Sequence, residues 1–276
     1  MMFNTTEANP KIPIFLRLVV IVECIVVGAT AVVLFFSPAL GKDLWAWGPP
    51  PFNSRYIGAI YFSALAPLVT YAFVGRWAPG RLVQWMILAF TSSIAIVMLI
   101  HVSNFEWGRW SAYAFWFLYI FIPLNSVVFL YLLRNLSAPS PVSVSSVWRT
   151  VLMVAAVLLG LYSVGLFLVP QNVTFFWPWD INDFHGRIYA ATFLTPAVGA
   201  WLIREKGDPS DYFTLGLTLL ILGLAAVLGV VITSSMVAVD KQVNYAALGT
   251  WAFFIMNLLI GGVGGGLMLQ GRSLAK

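Results

Sequence analysis

The sequence predicts an all-α polytopic membrane protein: eight transmembrane helices, folded as two parallel four-helix repeats about a pseudo-two-fold axis along the membrane normal. Three observations carry that prediction. Of the 276 residues 61% are hydrophobic and 9% charged, with a mean hydropathy of +0.90, whereas a water-soluble domain carries about 25% charged residues. Eight apolar runs, at about 14–36, 54–74, 82–101, 112–133, 148–169, 186–203, 212–234 and 245–269, match the roughly 20 residues a helix needs to cross the hydrocarbon. Lastly, Trp45, Trp47, Phe52 and Arg55 recur without a gap as Trp177, Trp179, Phe184 and Arg187, 132 positions on.

Taken in order, the polar tail 1–13 leads into a run over 14–36 that is too long for the apolar part of a signal peptide and reads as a signal anchor. Continuous apolarity, rather than alternation, argues for helices and against barrel strands throughout. Gly48-Pro49-Pro50-Pro51, Pro79-Gly80, Pro139-Ser140-Pro141 and Gly207-Asp208-Pro209 break the runs, as Gly and Pro do. The expected organisation is a tail at 1–13, a first membrane repeat at 14–134, a linker at 135–147 and a second repeat at 148–276. Lys11, Arg17, Arg76, Arg81, Arg134, Arg149, Arg204, Lys206, Arg272 and Lys276 fall on one side; Lys42, Arg55, Arg109, Arg187 and Lys241 fall on the other. Cationic loops stay inside, so both termini are expected in the cytoplasm and the tryptophan loops outside.

The duplication extends beyond the loops. Between 17–61 and 149–193, 13 of 45 aligned pairs are identical, among them Arg17 with Arg149 and Gly28 with Gly160. The same offset pairs Asn125 with Asn257. A unit of four helices, an even number, makes both copies enter from one side, which is the parallel kind of repeat.

Candidate ligand-binding residues cluster in the two loops: Trp45, Trp47 and Arg55 in the first; Trp177, Trp179, Asp180, Asp183, His185 and Arg187 in the second. Indoles suit the headgroup level, as an aromatic belt or as a lid over an outer cavity. Each arginine is placed to stack on its own loop's tryptophans or to meet a phosphate or anionic ligand. Asp183 stands four residues before Arg187 and can pair with it along a helix, while Asp183 or Asn182 can cap that helix.

Three polar residues fall inside the runs. Glu23 is the one acid well within a span, where a carboxyl must be paired, protonated or near water. Asn125 and Asn257 sit mid-helix and are expected to hydrogen-bond across the contact between the halves. Asn257, Gly261 and Gly265 make a stripe for close helix packing.

Cys24 is the sole cysteine, so neither an intrachain disulfide nor a cysteine metal site is encoded. His101 and His185 map onto Thr233 and Asn53, which leaves no duplicated haem pair. No phosphate loop, dinucleotide fingerprint or hydrolase motif is present. No metal or cofactor is expected, and the scattered cations speak against nucleic acid. The pattern W-P-W-x7-R, read from Trp177-Pro178-Trp179 and Arg187 and more loosely from Trp45-Ala46-Trp47 and Arg55, resembles uncharacterised bacterial multi-pass membrane proteins. That resemblance implies a bacterial inner-membrane location and no activity.

The expected function is that of a non-catalytic membrane protein, an accessory or scaffold subunit or a binder of lipid or small ligands. Its partners would be the bilayer and a membrane-complex subunit or a second copy. A transporter with Glu23 as coupling acid comes next, then an enzyme whose Asp180, Asp183, His185 and Arg187 converge at the outer face.

Overall fold

A computed structural model describes residues 9–136 and 142–275. The start of the tail (1–8), the Pro139-Ser140-Pro141 break within the linker and Lys276 lie outside the described residues. The chain is all-helical. Its α-helices run α1 (Ile14–Phe36), α2 (Pro38–Leu44), α3 (Pro51–Val74), α4 (Trp77–Ile100), α5 (Trp110–Leu132), α6 (Ser146–Leu168), α7 (Pro170–Val173), α8 (Asp183–Ile203), α9 (Pro209–Met236) and α10 (Leu248–Leu274).

Local chemistry sets the boundaries. Proline opens α2, α3, α7 and α9, where its missing N–H costs nothing. Asp208 caps α9 while the Asp211 side chain returns to the Asp208 amide, a reciprocal capping box. Gly75 ends α3 at φ +60°, a left-handed turn that a side chain disfavours.

Among the described residues, seven helices are long and apolar enough to cross a membrane: α1, α3, α4, α5, α6, α9 and α10. The 21-residue α8 stands apart from them. Its buried face is broad and rich in small and polar residues, including Gly186, Ala190, Ala191, Thr192, Gly199 and Ala200. A helix surrounded by protein does not need the hydropathy of one that faces lipid.

Packing follows one plan in both parts of the chain. α1 packs on α3 and α6 on α8; α4 packs on α5 and α9 on α10. Between these groups, α3 lies against α9, α4 against α8, and α4 meets α9. The short strands Val142–Ser143 and Lys206–Gly207 pair antiparallel, and Lys11 pairs with Arg76. Both pairings lie at the end of the bundle opposite the tryptophans, called here the termini end.

Two sequence expectations about polar helix faces change. The contact between the groups is built by α3, α4, α8 and α9. Asn125 on α5 and Asn257 on α10 are therefore buried within their own groups and do not join across the seam. Their matching fails too. α6 begins 132 positions after α1, but α10 begins 138 after α5, because α9 has 28 residues where α4 has 24 and its following loop is longer. The expected glycine stripe holds at Asn257 and Gly261, which meet Gly223 of α9, but continues through Gly264, where a Cβ on Gly265 would make only ordinary contact and one on Gly262 would meet nothing.

Candidate functional site

At the end opposite the termini, the two Trp loops turn inward and cross over. Trp47 and Trp177 are buried at 5% and 7% exposure, in the largest hydrophobic cluster of the protein. The Trp47 ring meets Phe184 at 4.9 Å, and Trp179 stacks on Phe52 at 5.6 Å. Trp47 Nε1 donates to His185 Nε2 at 3.2 Å, while Trp179 Nε1 donates to Asn53 Oδ1 at 2.9 Å. Asn53 Oδ1 also accepts from the Tyr189 hydroxyl at 2.6 Å. These rings form a seam inside the bundle rather than a belt facing the headgroups, because Trp47 and Trp179 each give their N–H to the segment that carries the other loop.

The arginines cross the same seam. Arg55, 3% exposed, donates through Nη1 to Thr233 Oγ1 at 3.2 Å and through Nη2 to Met236 Sδ at 3.1 Å. Arg187 Nη1 lies 2.8 Å from His101 Nε2, and its Nε donates to the Phe167 carbonyl at 3.1 Å. Neither guanidinium is held by its own loop's tryptophans. Burial holds the His101 imidazole below its ordinary pKa; the Arg187 charge acts the same way, while Asp183 and a hydrogen bond to Asn104 oppose.

The second-loop acids do not assemble into a centre. Asn182, not Asp183, caps α8 by accepting from the His185 amide at 2.9 Å. Asp183 accepts from Gln171 Nε2 at 3.1 Å and pairs with Arg187 at 3.8 Å, along the helix as the spacing anticipates. Asp180 is exposed, and His185 turns away into the seam. Among the described residues, no three His, Cys, Asp or Glu side chains group as a metal site. The convergence an outer-face enzyme requires is not formed.

The space for a ligand lies elsewhere. A cavity of about 550 Å3 sits between α1 and α5, with α3 and α4 behind it and side chains of α8 and α9 at its back. Nearer the termini end, Phe15 of α1 and Phe129 of α5 stack at 6.2 Å. Its wall is apolar and aromatic, with Trp45, Tyr61, Phe90, Phe115 and Tyr119 contributing rings. Three polar atoms on it have no partner: Trp45 Nε1, Ser111 Oγ and Thr192 Oγ1. Glu23, 8% exposed, is also on the wall. An uncompensated carboxylate in such surroundings costs several kcal/mol.

The surroundings of Trp177 are filled. There Trp177 Nε1 donates to the Tyr162 hydroxyl at 2.7 Å, and the Tyr162 ring packs on Phe193 at 4.8 Å. The residue 132 positions before Tyr162 is Thr30, whose short side chain leaves the Trp45 N–H without that acceptor. Likewise Ala155 stands where the first half has Glu23. Of the residues singled out from sequence, Trp45 and Glu23 line the cavity; Thr30, Tyr61, Tyr119 and Thr192 went unnoticed. The Thr30–Tyr162 mismatch between two retained tryptophans was the available signal.

Seven apolar helices and a lipid-like exterior, with Ile14, Leu18, Ile25, Phe73, Leu99, Phe117, Leu161 and Leu259 exposed, define an integral membrane protein. No protein-family model, curated protein or solved structure matches the chain.

Proposed function

We propose that this is a non-catalytic binding protein of the membrane that takes up a lipid-soluble small molecule in the cavity between α1 and α5. One observation carries the reading: a large apolar cavity whose wall holds an unpaired carboxyl and unpartnered hydrogen-bonding groups. Binding sites combine a mainly apolar surface with a few polar groups that orient the ligand. The tryptophan and arginine loops act in this reading as the clamp that joins the halves and fixes the cavity's outer end through Trp45.

We also propose the architecture behind it: eight spans, α8 included, in two copies of one unit related by a pseudo-two-fold along the membrane normal. The recurring packing plan and the crossed bonds support this, since Trp47 reaches residue 185 as Trp179 reaches residue 53, and Arg55 reaches residue 233 as Arg187 reaches residue 101. The distribution of Lys and Arg supports an inner-membrane protein with cytoplasmic termini. A transporter is the second reading, favoured by the place of Glu23 on the cavity wall.

Native mass spectrometry of the protein released gently from its own membrane tests the function. A small molecule should be retained by the wild type and absent from Thr30→Tyr, which fills the space beside Trp45 as Tyr162 fills that beside Trp177. Equal retention by both proteins would remove the cavity from the account. For the transporter reading, Glu23→Gln should abolish proton-coupled uptake with expression intact, and unchanged uptake eliminates it.

A further inference from the structure

Resting on the cavity as a ligand site, we propose that its occupant is an elongated lipophilic monocation, with its cationic centre against the Glu23 carboxylate. The charge follows from what surrounds that group. Glu23 is 8% exposed, and the lining contains no Lys, Arg or His. Among the described residues it has no hydrogen-bond or ion-pair partner. The titratable groups that face it are Cys24 beside it on α1 and Tyr71 from α3, with Tyr61 and Tyr119 further along the wall. None of them is a cation. A charge taken out of water is tolerated only when it is compensated, so a ligand that brings the missing positive charge is selected over a neutral one of the same shape.

The remainder of the wall suits such a molecule. Seven aromatic side chains line the cavity, and a π-face attracts a cation or packs an apolar chain equally well. On α1 the lining runs from Glu23 to Leu34, roughly 16 Å at helical rise. That length accommodates an extended chain with its head at Glu23 and its tail toward Trp45. Because Glu23 binds either a proton or the ligand cation, the two compete, and ligand affinity rises with pH until the carboxyl is fully ionised.

Scintillation-proximity binding on the full-length protein in non-ionic detergent tests this with two tritiated probes of one chain length, dodecyltrimethylammonium and dodecanol. The wild type should bind the cation more tightly at pH 8 than at pH 6. Glu23→Gln should weaken the cation about tenfold or more, flatten its pH profile and leave dodecanol within about twofold. Glu23→Asp, which keeps the charge, should retain cation binding and guards against a mere folding defect in Gln. Thr30→Tyr should eliminate both probes. If Glu23→Gln leaves the cation affinity and its pH profile unchanged while Thr30→Tyr still blocks both probes, the cation assignment is overturned and the cavity reading stands. If neither probe is lost in Thr30→Tyr, the cavity reading itself falls.

Discussion

Trp45 and Trp177 are the same residue in two surroundings, and the difference is one side chain away. Trp177 gives its N–H to Tyr162, whereas Trp45 faces open space beside Thr30. A buried donor without an acceptor costs about 1–3 kcal/mol. Thr30→Tyr is accordingly predicted to stabilise the protein by about 1 kcal/mol, seen as a higher unfolding temperature in detergent; a lower one would mean the two halves differ in local geometry as well as in sequence. Asn53→Ala works in the opposite direction. It strips the acceptor from both Trp179 and Tyr189 and should cost about 2–4 kcal/mol by the same measurement. A loss below measurement error would show that these donors re-pair. The sequence singled out the tryptophans and arginines but not Asn53 or Tyr189, since partners 126 and 136 positions apart leave no local trace.

Helix pairs within a half are held by how closely backbones approach. Cβ atoms built on Gly216, Gly223 and Gly264 would strike the facing backbone of α9 or α10, with Gly223 meeting the Asn257 carbonyl. Without a hydrophobic drive between helices in lipid, such close contacts supply much of the association. Gly223→Val should cost about 1–3 kcal/mol or more, through overpacking, while Gly262→Ala, whose Cβ meets nothing, should be near neutral. Equal unfolding temperatures for the two variants would refute the packing account. The glycine run in α10 was legible as a close-packing face. Its phase was legible at Asn257 and Gly261 but not beyond, because Gly262, Gly264, Gly265 and Gly266 offer several continuations and only the position of α9 selects Gly264.

Across the whole molecule, the halves meet through α3, α4, α8 and α9 and through the crossed ring and arginine contacts at one end. One of those contacts titrates. His101 accepts from Arg187 in the folded protein, and its pKa there is lowered by burial and by that positive charge. The unfolded chain consequently binds the proton more readily, and stability rises with pH wherever that holds. It is complete above about pH 6.5, the unfolded value, and is lost as pH falls below it toward the folded one. The unfolding temperature should drop between about pH 7 and pH 5, and drop less in His101→Thr, which places in this seam the residue that Arg55 meets in the other. Identical profiles for the two proteins would exclude His101 as the source.

Composition and spacing by themselves determined that this chain lives in a bilayer, where its helices run, and that two loops share W-x-W and an arginine. Those are properties of single segments, since hydropathy and helix ends depend on neighbours within a few turns. Tertiary structure decided what those residues touch. It turned the tryptophans from the headgroups into a seam, sent each arginine into the opposite half, and separated Asn125 from Asn257. Above all it left a cavity beside Trp45, where Thr30 stands, and put the Tyr162 side chain against Trp177. An empty volume belongs to no residue: it is the difference between the space that packed helices enclose and the side chains that fill it. Only the assembled helices define that space.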